Sequence, residues 1–135
     1  MEYTPFHLNV KSHPESLKRI RTLVTDAVLG FGVPDKETAS IILAVDEVCS
    51  NIIRHGYGND ASQEISVTVF PQADELVIQI FDSGVPFDIN TAAPRDPTEI
   101  KPGGLGIYII KQVMDRVEYG KTKAGLNRTR LIKKL

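Results

Sequence analysis

The sequence predicts an α+β domain. It is a two-layer sandwich in which a mostly antiparallel mixed sheet is covered on one face by about three helices, with residues 1–135 forming one unit. Three observations predict it. Segments with alternating apolar and polar residues open the chain, recur in its middle and close it. Two long stretches with apolar residues every three or four positions follow one another near the start. A third such stretch precedes the last alternating segments, so helices and strands are grouped.

Taken in order, Tyr3 to Val10 alternates loosely and reads as a first strand. Pro14 opens a helix that places Leu17, Ile20, Leu23, Val24, Ala27 and Val28 on one face. Gly30, Gly32 and Pro34 stop it, and Asp35 reads as the cap of a second helix running to about Arg54. Gly56 to Asp60 is a loop. Ile65 to Val69 and Leu76 to Phe81 read as the strands of a hairpin, with Pro71 to Glu75 as its turn. From Ser83 to Gly103 the chain has little periodicity and carries Pro86, Pro94, Pro97 and Pro102; so long an irregular segment in a compact domain usually serves a function. Leu105, Ile109, Ile110 and Val113 mark a third helix, and Arg116 to Gly120 and Asn127 to Lys134 two closing strands. There is no internal repeat and no interdomain linker.

Bulk composition narrows function by exclusion. With 135 residues, 41% hydrophobic, 24% charged and a net charge of −1, nothing marks the whole chain as a binder of nucleic acid or membrane surface. No apolar run reaches the length of a bilayer span, and the N-terminus lacks a signal-peptide pattern, so the expected location is cytoplasmic. Cys49, the single cysteine, falls within an apolar helical pattern and reads as a buried structural thiol. His7, His13 and His55 with Cys49 make no zinc pattern.

Chemistry enters through Glu47 and Asn51. Four residues apart on a helix, they project from one face. A carboxylate can take a proton from a hydroxyl, and an amide oxygen can ligate a hard cation without adding charge. On a wheel of about 100° per residue, Ile41, Val45, Val48, Cys49 and Ile52 face the core. Glu47, Asn51 and Arg54 form a stripe on the opposite flank, with Asp46 and Ser50 solvated. By itself this is an ordinary amphipathic helix.

Asp82 adds a second clue. It shares parity with Leu76, Ile78 and Ile80, so it points toward the core at a strand end, where a carboxylate is costly unless hydrogen-bonded. It serves either as a turn aspartate in Asp82-Ser83-Gly84 or as acceptor for a ligand donor such as the amino group of a base. Gly84 permits close backbone approach to a flat ligand. Gly103-Gly104-Leu105-Gly106 stands directly before a helix, where free backbone N–H groups favour phosphate. No Lys-Ser or Lys-Thr follows these glycines and no strand precedes them, which excludes a P-loop and a dinucleotide fingerprint.

In this order the three elements resemble the GHKL superfamily of ATP-binding domains, which have the Bergerat fold. Glu47 to Asn51 looks like its N box, Asp82 to Asp88 its first glycine box, and Gly104 to Gly106 its second. Asn51-Ile-Ile-Arg-His-Gly-Tyr57, Gly84-Val-Pro-Phe-Asp88, and Gly125 and Asn127 before an apolar-basic strand are similar to the anti-sigma-factor serine kinases of bacterial partner-switching systems. Pro86, in place of a glycine of the wider superfamily, is shared with that subgroup, whereas Gly125 to Thr129 matches only in part.

The resemblance implies a Mg-ATP-dependent serine/threonine kinase. Glu47 would be the general base, Asn51 the Mg²⁺ ligand, and Asp82 the acceptor for the adenine amino group. Gly84, Gly104, Leu105 and Gly106 would border the nucleotide, with Thr129 on the adenine side. The Pro-rich segment would be the ATP lid, and Arg54 and Lys101 are candidate phosphate contacts. The substrate would be a small antagonist protein, the sequestered partner a sigma factor or similar regulator, and the state a homodimer. Two other readings stand beside it. One is a nucleotide-gated binding module without catalysis, for which Glu47 would be superfluous. The other is a histidine-kinase catalytic domain, which would need a helix pair bearing a phosphoacceptor histidine; here a single short helix carries only His13 at its edge.

Overall fold

A computed structural model describes residues 6–86 and 104–135, the first four of the second stretch through their backbone alone. Strand β1 (Phe6–Lys11) leads into helices α1 (Ser16–Gly30) and α2 (Asp35–Asn51), and a π-helical turn (Ile52–Gly56) follows directly. Next come the hairpin strands β2 (Glu64–Gln72) and β3 (Glu75–Asp82), helix α3 (Gly104–Val113), and strands β4 (Arg116–Lys121) and β5 (Asn127–Lys134). The sheet order is β1-β2-β3-β5-β4, and each of these pairings is antiparallel. Strand β5 therefore lies inside the sheet, between β3 and β4.

Alternation decides which side chains meet the helices. Ile65, Val67 and Val69 of β2, Leu76, Ile78 and Ile80 of β3, and Leu131 of β5 are fully buried. They share one core with Ile20, Val24 and Val28 of α1, Ile41, Val45 and Val48 of α2, and Ile110 of α3. Each such side chain contributes about 1.5–3 kcal/mol relative to exposure. The far face is mainly polar; on it Arg116 pairs with Glu75 at 3.0 Å and Glu118 at 3.1 Å.

Four local expectations are revised. Strand β2 continues through Pro71 to Gln72, and the turn is only Ala73-Asp74, because Pro71 pairs with Leu76 and Gln72 with Glu75. Helix α1 begins at Ser16, whose N–H donates to the His13 carbonyl at 2.8 Å, so Pro14 belongs to the preceding turn. Asp35 is the first helical residue, not the cap; Pro34, extended at ψ 151°, holds the cap position. Asp35 and Glu37 instead place negative charge in the first turn, where the helix dipole favours it. Asp46 is not simply solvated, since Arg21 of α1 donates to its Oδ1 at 2.7 Å. The expected strand start at Tyr3, and Phe87, Asp88, Pro94, Pro97, Lys101, Pro102 and Gly103, lie outside the described residues.

Two predictions arise here. Ala73 holds φ 54°, a left-handed conformation that disfavours a Cβ. Ala73→Gly is expected to stabilise the domain by about 1 kcal/mol, read as a rise of a few degrees in melting temperature. Cys49 is fully buried and free. Burial, followed by the Asp46 and Asp82 carboxylates, pushes its thiol far above the usual range. A thiol reagent is therefore expected to label Cys49 only on unfolding; rapid labelling under native conditions would contradict this.

Candidate nucleotide site

The site begins where α2 stops being α-helical. After Asn51 the backbone widens into a π turn, with the Tyr57 N–H donating to the Ile52 carbonyl at 2.8 Å. Single π turns often mark functional sites, because the extra residue redirects neighbouring side chains. Here Asn51, on the polar stripe with Glu47 and Arg54, is buried at 5% exposure.

The exit of β3 crosses this turn. A Cβ placed on Gly84 would lie 2.6 Å from both the carbonyl carbon and oxygen of Gly56, and the Val85 N–H donates to that oxygen at 2.8 Å. The close approach that Gly84 makes among the described residues is thus to the chain itself, where a flat ligand was expected. Tyr57 braces the crossing: its hydroxyl donates to the Glu64 carbonyl and accepts from the Ser83 N–H at 2.8 Å.

Asp82 ends β3 on the helix-facing side and is 5% exposed, as its parity with Ile80 requires. Its Oδ1 accepts the Gly84 N–H and the Asn127 Nδ2, each at 2.9 Å. The turn reading and the ligand reading are therefore compatible. Oδ1 serves the Asp-Ser-Gly turn, while Oδ2 accepts no hydrogen bond among the described residues. These bonds offset part of the cost of burying the carboxylate.

Asn127, which sequence reading named only as part of a motif, is central to the arrangement. It lies directly opposite Asp82 in the β3–β5 ladder, is 1% exposed, and donates from Nδ2 also to the Gly84 carbonyl at 2.9 Å. The available signal was its parity with Thr129 and Leu131, which places a polar amide on the core face of a strand.

Between the end of α2 and the ends of β3 and β5 lies a slot. Val48, Ile52 and Val85 supply apolar walls, and Asn51, Asp82, Asn127 and Thr129 supply the polar groups. Apolar walls with a few convergent polar groups are the usual make-up of a small-molecule site. Its open volume is about 20 Å³, room for a single water. Val85, 69% exposed, forms the outer lip.

Glu47 opens onto a different depression, of about 460 Å³, shared with Ser50, Arg54, Leu17 and Asn59. Arg54 connects the two, donating from Nη2 to Asn51 Oδ1 at 3.3 Å. Asn51 Nδ2 is buried without a partner among the described residues. Asn51 thus stands between the slot and the depression that holds Glu47. Gly104, Leu105 and Gly106 form the first turn of α3, where a turn before the helix was expected. First-turn N–H groups have no intrahelical acceptor, so this backbone keeps its capacity for an anion.

Comparison with known proteins bears on the fold and the family. Residues 10–133 match the histidine kinase-like ATPase domain family. The serine-protein kinase RsbW of Bacillus subtilis strain 168 is 28% identical over 118 residues, covering 82% of this chain and 74% of the relative. RsbW of Bacillus cereus strain Q1 is 37% identical over 98 residues, 67% of this chain and 59% of the relative. Among solved structures, the RsbU and RsbW domains of Rv1364c from Mycobacterium tuberculosis superpose with a TM-score of 0.71 at 18% identity, over 98% of this chain and 33% of that one. The SiaB–SiaC complex from Pseudomonas aeruginosa gives 0.68 at 16% identity, over 93% and 87%. At these identities the solved structures speak for the fold. No helix among the described residues is long and apolar enough to cross a membrane.

Proposed function

Because the chain belongs to the histidine kinase-like ATPase domain family, we propose that it is a Mg-ATP-dependent serine/threonine kinase. Its substrate is a small antagonist protein, and its output is sequestration of a sigma factor or similar regulator. The observation that carries the reading is the slot containing Asp82 next to the α2 turn that bears Asn51, with Glu47 one turn back on the same helix. The RsbW relatives supply the kinase class by their names.

Each residue has a task in this reading. Asp82 accepts from the exocyclic amino group of adenine, while Val48, Ile52 and Val85 cover the ring faces. The backbone at Gly104, Leu105 and Gly106 faces phosphate, Thr129 borders the base, and Arg54 and Lys101 supply positive charge. Asn51 fits a hard cation: it offers an uncharged oxygen at the slot border, engaged among the described residues only by a 3.3 Å bond from Arg54. Among the described residues no group of three or more His, Cys, Asp or Glu side chains is placed to hold a metal. Magnesium bound with a triphosphate needs only one or two protein oxygens. When bound, it neutralises charge on the phosphates. Glu47 takes the proton of the incoming hydroxyl from its own depression, which leaves room for a protein segment.

The test is a transfer assay. Proteins captured from the native cell are incubated with this chain, Mg²⁺ and radiolabelled ATP, and label is expected on serine or threonine of a small captured partner. Tight ATP binding with no transfer to any captured protein would replace the kinase with a nucleotide-gated binding module.

A further inference from the structure

Asn127 carries an acceptor that the fold leaves unused. Both hydrogens of its Nδ2 are committed, to Asp82 Oδ1 and to the Gly84 carbonyl. That commitment fixes the amide orientation, because a flipped side chain would press its oxygen against two other oxygens. Oδ1 is then buried with no partner among the described residues. Buried acceptors are rarely left unpaired. This one belongs to a side chain lining the slot, beside a carboxylate whose Oδ2 is also unengaged among the described residues. Asp82 and Asn127 are directly opposite in the ladder, so their side chains present two acceptors along one edge of the slot.

We propose that Asn127 reads the base directly, its Oδ1 accepting one hydrogen of the exocyclic amino group while Asp82 accepts the other. This rests on the reading of the slot as an adenine site. An amino group has two diverging hydrogens and satisfies both acceptors. A carbonyl at the same ring position, as in hypoxanthine or guanine, sets a third oxygen against them. The pair therefore selects a six-amino purine and rejects a six-oxo one, and Asn127 is a specificity residue as well as a brace for Asp82.

Binding of ATP and of purine riboside triphosphate, which lacks the amino group, separates these roles. The proteins are the natural chain, Asp82→Ala, Asn127→Ala and the double variant, each checked for folding by thermal melting. The natural chain is expected to prefer ATP by about thirtyfold or more. Asp82→Ala should retain a preference of about threefold to tenfold, the contribution of one neutral hydrogen bond, and the double variant should retain none. If Asp82→Ala alone erases the preference, Asn127 acts only through Asp82 and the proposal fails. If the natural chain binds ATP no better than the deaminated analogue, the adenine reading itself fails. Should Asp82→Ala not fold, the six-methylamino analogue of ATP, with one amino hydrogen, decides. It should bind the natural chain about threefold to tenfold more weakly than ATP, and bind Asn127→Ala as well as ATP does. An equal loss in both proteins would overturn the proposal.

Discussion

Gly84→Ala is expected to lower the melting temperature by about 10 °C and to abolish measurable nucleotide binding, from a loss of about 3 kcal/mol through overpacking and a broken hydrogen bond. The added methyl would meet the backbone carbon and oxygen of Gly56 at 2.6 Å and its Cα at 2.9 Å. Backbone atoms cannot rotate away, so the β3 exit and the π turn must separate. Separation stretches the Val85–Gly56 hydrogen bond and moves the Gly84 carbonyl and N–H away from Asn127 and Asp82. The partner glycine provides the contrast. A Cβ on Gly56 meets nothing closer than 3.8 Å and its φ is not left-handed. Gly56→Ala should therefore melt within about 2 °C of the natural protein, because the added methyl meets its neighbours only at ordinary van der Waals distance. Differential scanning calorimetry of both variants checks the asymmetry; equal losses would show that the crossing is not as tight as described.

Glu47→Gln is expected to reduce phosphoryl transfer by about 10²–10⁴, the range for losing a general base, with ATP affinity changed by no more than about threefold. The carboxylate is half-buried, makes no hydrogen bond or ion pair among the described residues, and faces a depression separate from the slot. Removing its charge therefore leaves both the fold and the Asp82–Asn127 pair intact. Single-turnover transfer to the captured antagonist, with nucleotide binding measured in parallel, separates the two effects. Normal transfer by a folded Glu47→Gln protein would remove Glu47 from the chemistry.

The legible parts of the molecule were those governed by local periodicity. Asp82 could be assigned to the core face because alternation with Ile80 and Ile78 holds wherever the strand pairs. The helix faces of α1 and α2 followed from spacing alone. What escaped depends on contacts between distant segments. Asn127 acquires its role only because β5 enters the sheet beside β3, which brings it opposite Asp82 across 45 positions of sequence. Gly84 could be recognised as a point of close approach, but its neighbour Gly56 is supplied by a π turn that apolar spacing does not announce. Pro71 carries a strong turn signal, overridden because it pairs with Leu76 in the β2–β3 hairpin. Asn51 and Glu47 share a helix face by spacing, yet the end of α2 directs them to separate hollows.

The interior position of β5 has a consequence for how the molecule comes into being. During synthesis β3 emerges well before β5, and until β5 arrives the apolar run Leu76 to Phe81 presents an open hydrogen-bonding edge, the kind of surface that recruits other chains. The same late strand delivers Asn127 and Thr129. Protection of the aggregation-prone edge and closure of the binding slot are therefore one event, reached only after a long-range pairing that is slow by topology. A nascent chain stopped short of Asn127 would be sticky and would lack one side of the slot, so completion of the slot would report that β5 has joined the sheet.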